Sequence, residues 1–120
     1  MAKVNTKWFN KNEDFSMKTV GNNRQMERET SMGVTWTNYY LYGNKIATAV
    51  NNGGRITIEL NTCGHETKTT RDAMKEFLSL YHPSFNVSFA KGHFTVLKKG
   101  EVVKSVPLNE VVERIFWIEV

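Results

Sequence analysis

The sequence predicts an α+β domain: an antiparallel β-meander, a central amphipathic helix, then a second antiparallel β-rich segment with a short C-terminal helix. Three observations predict it. Residues 34 to 61 alternate in polarity with turn residues between them, residues 70 to 81 place apolar side chains at helical spacing, and alternation returns from Phe85 onward.

The meander begins at Val34. Thr35, Thr37, Tyr39 and Leu41 alternate with Trp36, Asn38, Tyr40 and Tyr42, and Gly43-Asn44 offers a two-residue hairpin turn before Lys45 to Val50. Asn51-Asn52-Gly53-Gly54 is a second turn, because Asn and Gly tolerate the positive φ of tight hairpins. Arg55 to Asn61 follows, with Ile56, Ile58 and Leu60 on one face. The helix is expected near Thr70, with Thr69 and Asp72 as a capping box and Met74, Phe77, Leu78 and Tyr81 on one side. His82-Pro83 stops it, since the residue before proline is pushed out of the helical region. A dozen residues do not make a stable isolated helix, so this one must lie on the sheet.

Beyond the helix, Phe85, Val87 and Phe89 share a face, Lys91-Gly92 turns, Phe94 and Val96 form the next strand, and Lys99-Gly100 turns into Glu101 to Val106. Leu108, Val111, Val112 and Ile115 are spaced for a short helix capped by Asn109, and Phe116 to Val120 suit a last strand. Residues 1 to 33 are rich in Asn, Lys, Glu and Thr, and their apolar residues keep no period. They are expected to be an N-terminal arm, flexible or ordered by a partner, outside a single domain over 34 to 120. Trp8 and Phe9 in that arm are candidates for anchoring it on the domain or on a partner.

A single cysteine excludes an intrachain disulfide framework and points to a reducing, intracellular location. No apolar run approaches the roughly 18 residues that span a bilayer, so no membrane partner is expected. The net charge of +4 favours anionic partners only mildly. Residues 1 to 33 hold six Lys or Arg against four acidic residues and residues 34 to 120 hold ten against eight, so the excess is spread along the chain.

Four constellations could carry chemistry. Cys63 and His65 are spaced as a metal-binding or thiol–base pair, but no second ligand pair accompanies them, and a buried, inert cysteine is the plainer reading. No metal, cofactor or catalytic residue is therefore expected. The helix start is the better site: His65, the hydroxyls of Thr67, Thr69 and Thr70, and the cations Lys68 and Arg71 compose a corner for an anion or an acidic partner. Its plainer reading is capping threonines beside solvated cations. Trp36 and Tyr40 lie on the face of the first strand opposite Tyr39, where they could stack on bases, or simply pair across strands. Lys91, His93, Lys98, Lys99 and Lys104 give the second β-rich segment a basic surface suited to nucleic acid or an acidic protein, or to guarding an exposed edge.

The ordered set Thr35-Trp36, Leu41-Tyr42-Gly43-Asn44-Lys45-Ile46-Ala47, Ile58-Glu59-Leu60-Asn61-Thr62-Cys63-Gly64 and Thr67-Lys68-Thr69-Thr70-Arg71-Asp72 resembles a group of small, functionally uncharacterised proteins encoded by tailed bacteriophages. It covers about residues 34 to 78. One position departs: His65 stands where that group has Trp after the glycine. The resemblance implies a viral protein acting in the cytoplasm of a host bacterium. With no catalytic motif, the expected function is that of a non-enzymatic accessory protein that binds and inhibits a host protein or ribonucleoprotein, as an anti-CRISPR-like counter-defence inhibitor would. Two alternatives stay open: a nucleic-acid-binding module using basic hairpins and sheet aromatics, and a binder of a small anionic ligand or nucleotide at the helix start. Exposed sheet edges also leave a homodimer open.

Overall fold

A computed structural model describes residues 14–63, 67–107 and 115–119. Two antiparallel sheets and one helix build it, the α+β arrangement expected from the alternation. The large sheet runs β1 (Phe15–Gly21), β2 (Arg24–Ser31), β3 (Val34–Leu41), β4 (Asn44–Asn52) and β5 (Arg55–Asn61) as a meander, with β9 (Ile115–Glu119) added beside β5. The helix α1 (Lys68–Ser79) follows β5. The small sheet is β6 (Phe85–Ser88), β7 (His93–Lys98) and β8 (Glu101–Pro107).

Residues 15 to 31 are not an arm. They form a hairpin that extends the meander by two strands, tied at its open end by Asp14, whose carboxylate accepts from the Thr30 backbone N–H (2.9 Å) and hydroxyl (2.7 Å). The domain therefore extends to Asp14 at least. The expected period is hidden because the buried positions of β2 are Arg24, Met26 and Arg28. Two of three inward side chains are charged, so polarity does not alternate along the strand. Residues 1 to 13, with Trp8 and Phe9, lie outside the described residues, as do residues 108 to 114 of the expected C-terminal helix. Ile115, placed in that helix by its spacing, begins β9 instead.

Turn chemistry sets the hairpins. The β3–β4 loop is Tyr42-Gly43, with φ of 50° and 79°, one residue earlier than Gly43-Asn44. Both residues of such a loop need positive φ to match the strand twist, and Gly43 meets that without strain while Tyr42 does so at some cost. The β4–β5 loop contracts to Gly53-Gly54, and the Gly54 N–H donates to Asn51 Oδ1 at 2.9 Å. Lys99-Gly100 turns as expected, whereas Ala90–Gly92 forms a 3-10 turn in place of a two-residue loop at Lys91-Gly92.

The helix starts two residues before Thr70. Thr67 rather than Thr69 is its cap, extended at φ −109° and accepting from the Thr70 N–H at 3.2 Å. Its end also comes early, at Ser79, before His82-Pro83. Ala73, Met74, Phe77 and Leu78 are fully buried along one stripe, and the ring of Phe77 stacks on Tyr39 of β3 at 5.1 Å between centroids. Burying a ring of this size stabilises by roughly 2–3 kcal/mol. Ala47 and Ala49 supply small side chains on β4, over which the helix passes. From the small sheet, Phe85, Val87, Phe94 and Val96 join the same core. Strand β8 projects beyond it: residues 101 to 105 are exposed on both sides, Val102 by 63%.

Candidate functional site

Strand alternation and register decide what the open face of the large sheet presents. On the covered side lie Met26, Tyr39, Ala47 and Leu60, which are neighbours in one row across β2 to β5. The opposite side is built from the rows Glu29–Trp36–Val50–Thr57 and Glu27–Asn38–Thr48–Glu59, with Gln25–Tyr40–Lys45 beyond. Within this face Tyr40 donates to Glu27 Oε1 at 2.6 Å, Asn38 Nδ2 donates to the same oxygen at 3.0 Å, and Thr48 Oγ1 donates to Asn38 Oδ1 at 2.8 Å. That chain of hydrogen bonds crosses three strands. It fixes the side chains as a preformed surface. Burial first, then the Glu27 hydrogen bond and charge, push the Tyr40 phenol up to about 12.

A shallow hollow of about 460 Å3 occupies the middle of the face, with Trp36, Val50 and Thr48 as its floor and Glu29, Glu59 and Lys45 at its sides. Glu29 and Glu59 make no ion pair among the described residues. In a chain of net charge +4, the register of the described strands puts Glu27, Glu29, Glu59 and, on β9, Glu119 on this face against Lys45 and Arg55. Trp36 and Tyr40 thus stand among more carboxylates than cations, a setting that favours a cationic group over a phosphate. What this face can do is hold a cation against an aromatic ring and carboxylates.

The helix start is divided. Thr67, Thr69 and Thr70 line a cleft of about 380 Å3 together with Thr62, Asn44 and Tyr42, over a floor of Leu41 and Ile46. Lys68 and Arg71 do not line it; Arg71 Nε reaches Asp72 Oδ1 at 3.4 Å. The cap is internally satisfied, with Thr67 Oγ1 3.1 Å from Thr70 Oγ1 and the Arg71 N–H donating to the Thr67 carbonyl at 3.0 Å. The two cations of the expected anion corner therefore do not line this cleft, and the Thr70 and Arg71 N–H groups are taken within the cap. Its three threonines line a cleft that has no charged side chain among the described residues. His65 lies outside the described residues. Cys63 sits at φ 53° with Sγ donating to the Lys45 carbonyl at 3.4 Å, and no group of three His, Cys, Asp or Glu side chains among the described residues could hold a metal ion.

The basic residues of the small sheet take different local settings. Lys98 lies over the Phe85 ring at 5.6 Å, Lys99 is the first residue of the β7–β8 turn, His93 is exposed at one end of the β7–β8 pairing and Lys104 in its middle, opposite Val96. Lys91 falls in the 3-10 turn and its side chain is not described. No helix among the described residues is long and apolar enough to cross a membrane.

A second polar cleft, about 320 Å3, was not visible in the sequence. It opens past the helix end, where Arg28 Nε donates to Thr37 Oγ1 at 3.3 Å beside Tyr81, Thr30 and Thr35. Burial pushes the Tyr81 phenol up to about 12, against the lowering effects of Thr37 and Arg28. These groups bond one another across the sheet, which makes the cleft the polar end of the core. No protein-family model, curated protein or solved structure matches this chain.

Proposed function

We propose that the protein is a non-enzymatic accessory protein that binds a basic protein surface through the open face of its large sheet. The carrying observation is the segregation of Glu27, Glu29 and Glu59 around Trp36 and Tyr40 on one rigid face of a positively charged chain. Charge complementarity selects a partner segment rich in Lys or Arg, and the Trp36 hollow gives one cationic side chain an aromatic floor. The resemblance to phage proteins extends the reading: the partner is a host protein whose basic surface is blocked, as an anti-CRISPR-like inhibitor would block a nucleic-acid-binding site.

The test compares an oligolysine peptide with a single-stranded oligonucleotide, each titrated at low and physiological salt. The peptide should bind, and combining Glu27→Gln, Glu29→Gln and Glu59→Gln should weaken it at least tenfold, or about 1.4 kcal/mol. Capture from a host lysate after nuclease treatment should then give a protein retained by the wild type and lost by the triple variant. Preferential binding of the oligonucleotide, with affinity falling steeply in salt and unchanged by the triple variant, would replace this reading with the nucleic-acid one carried by the small sheet.

A further inference from the structure

We propose that the cleft between the β3–β4 hairpin and the start of α1 binds an uncharged nucleoside, taking the base against the ring of Tyr42. The inference is independent of the docking face, because Leu41 and Ile46 place this cleft at the end of the helix-covered side of the sheet.

Three properties of the cleft select the ligand. Its volume of about 380 Å3 lies within the range of small-molecule sites and above what a single sugar or phosphate fills. Among the described residues its lining carries no charged side chain, which disfavours an ionic ligand and favours a neutral one with hydrogen-bonding edges. The hydroxyl of Thr69 and the amide of Asn44 have no partner within the described protein and together offer both donors and acceptors, as the edge of a base requires. Aromatic and apolar surfaces complete it. Tyr42 is 65% exposed at the rim, and the apolar floor is buried to within a few percent. A flat ring laid against Tyr42 would cover apolar area that now faces water, and stacking of a base on an aromatic side chain is worth about 1–3 kcal/mol.

Neither Lys68 nor Arg71 lines the cleft, and of the first-turn donors the Thr70 N–H is taken by Thr67 and the Arg71 N–H by the Thr67 carbonyl. Phosphate should therefore add nothing to binding. This separates the proposal from a nucleotide-phosphate site.

The experiment is an amide NMR titration of the full chain with adenosine, with methyl glucoside and inorganic phosphate run alongside. Adenosine should shift the amides of Tyr42, Asn44, Thr69 and Thr70 saturably, and phosphate and methyl glucoside should not. Tyr42→Phe should keep the affinity. Tyr42→Asn, which suits the positive φ of the turn and so preserves the hairpin, should lower it at least tenfold. No saturable shift with adenosine, an undiminished affinity in Tyr42→Asn, or the same shifts from phosphate or methyl glucoside alone would each overturn the proposal.

Discussion

The two faces of the large sheet use charge in opposite ways. On the covered face the charged groups are few, and the structure meets them: Arg24 Nε contacts Glu76 Oε2 at 2.7 Å while its Nη1 donates to the Asn22 carbonyl at 2.8 Å, and Arg28 bonds Thr37. On the open face Glu29 on β2 and Glu59 on β5, with two strands between them, make no ion pair among the described residues. Charge on the covered face holds the helix to the sheet. On the open face Glu27 is held by Tyr40 and Asn38, while Glu29 and Glu59 have no such partner among the described residues, and it is on these two that the proposed binding rests.

The first way to break the contrast is to remove one partner of the buried pair. Arg24 and Glu76 side chains are 7% and 17% exposed, Tyr39 donates to the same Glu76 oxygen at 3.4 Å, and Glu76 Oε1 is already buried without a partner. Arg24→Ala would leave a carboxylate in the core with only the phenol for company. A loss of about 3–5 kcal/mol is expected in chemical denaturation. Replacing the pair together, with Arg24→Met and Glu76→Leu, should recover most of it, because two desolvated charges are exchanged for apolar contact. If Arg24→Ala costs less than about 1 kcal/mol, the pair does not clamp α1 to the sheet.

The second concerns the tyrosines at the sheet–helix boundary. Tyr81 is held protonated by burial to about 12 against an ordinary value near 10, and Tyr39 is raised further by burial and the Glu76 charge. A raised folded value means that the unfolded chain loses its proton first. The stability this represents is intact below pH 10 and drains away as pH rises towards 12, roughly 2 kcal/mol for Tyr81. Tyr81→Phe should flatten that part of the alkaline limb in denaturation curves taken between pH 9 and 12. An unchanged limb would mean that Tyr81 is open to water at the end of the core.

How much of this was legible in sequence follows from the same contrast. Strands β3 to β5 and the helix face were readable because Ile56, Ile58, Leu60, Met74 and Phe77 mark the core with apolar side chains at the right periods. Strand β5 came out with the bounds expected, Arg55 to Asn61. The β1–β2 hairpin was not readable, because Arg24 and Arg28 occupy inward positions and only their partners on α1 and β3, Glu76 and Thr37, explain how they are buried. Its loop, Asn22-Asn23, was the signal that could have revealed it, since Asn23 adopts φ 57° as a hairpin asparagine does. The acidic face was hidden for a related reason. Glu27 and Glu59 are 32 positions apart in the chain and share a row only through the register of three strand pairings. Charge summed along the sequence cannot show that; charge summed by sheet face does.

The smallest expected effect is the sharpest test of the comparison. Glu29→Gln and Glu59→Gln remove charges from the open face without removing a hydrogen bond, since neither carboxylate has a side-chain partner among the described residues. Surface changes of this kind fall within about 0.5 kcal/mol, and relief of like-charge repulsion should bring the change out near zero or slightly stabilising. Thermal melts at low and moderate salt should nearly superimpose on the wild type, with any gain shrinking as salt screens it. Affinity for oligolysine should fall in the same two variants. Binding that changes while stability does not is the signature of a surface kept for a partner. A loss of 2 kcal/mol or more in either variant would instead make the carboxylates part of the scaffold, and the distinction between the two faces would collapse.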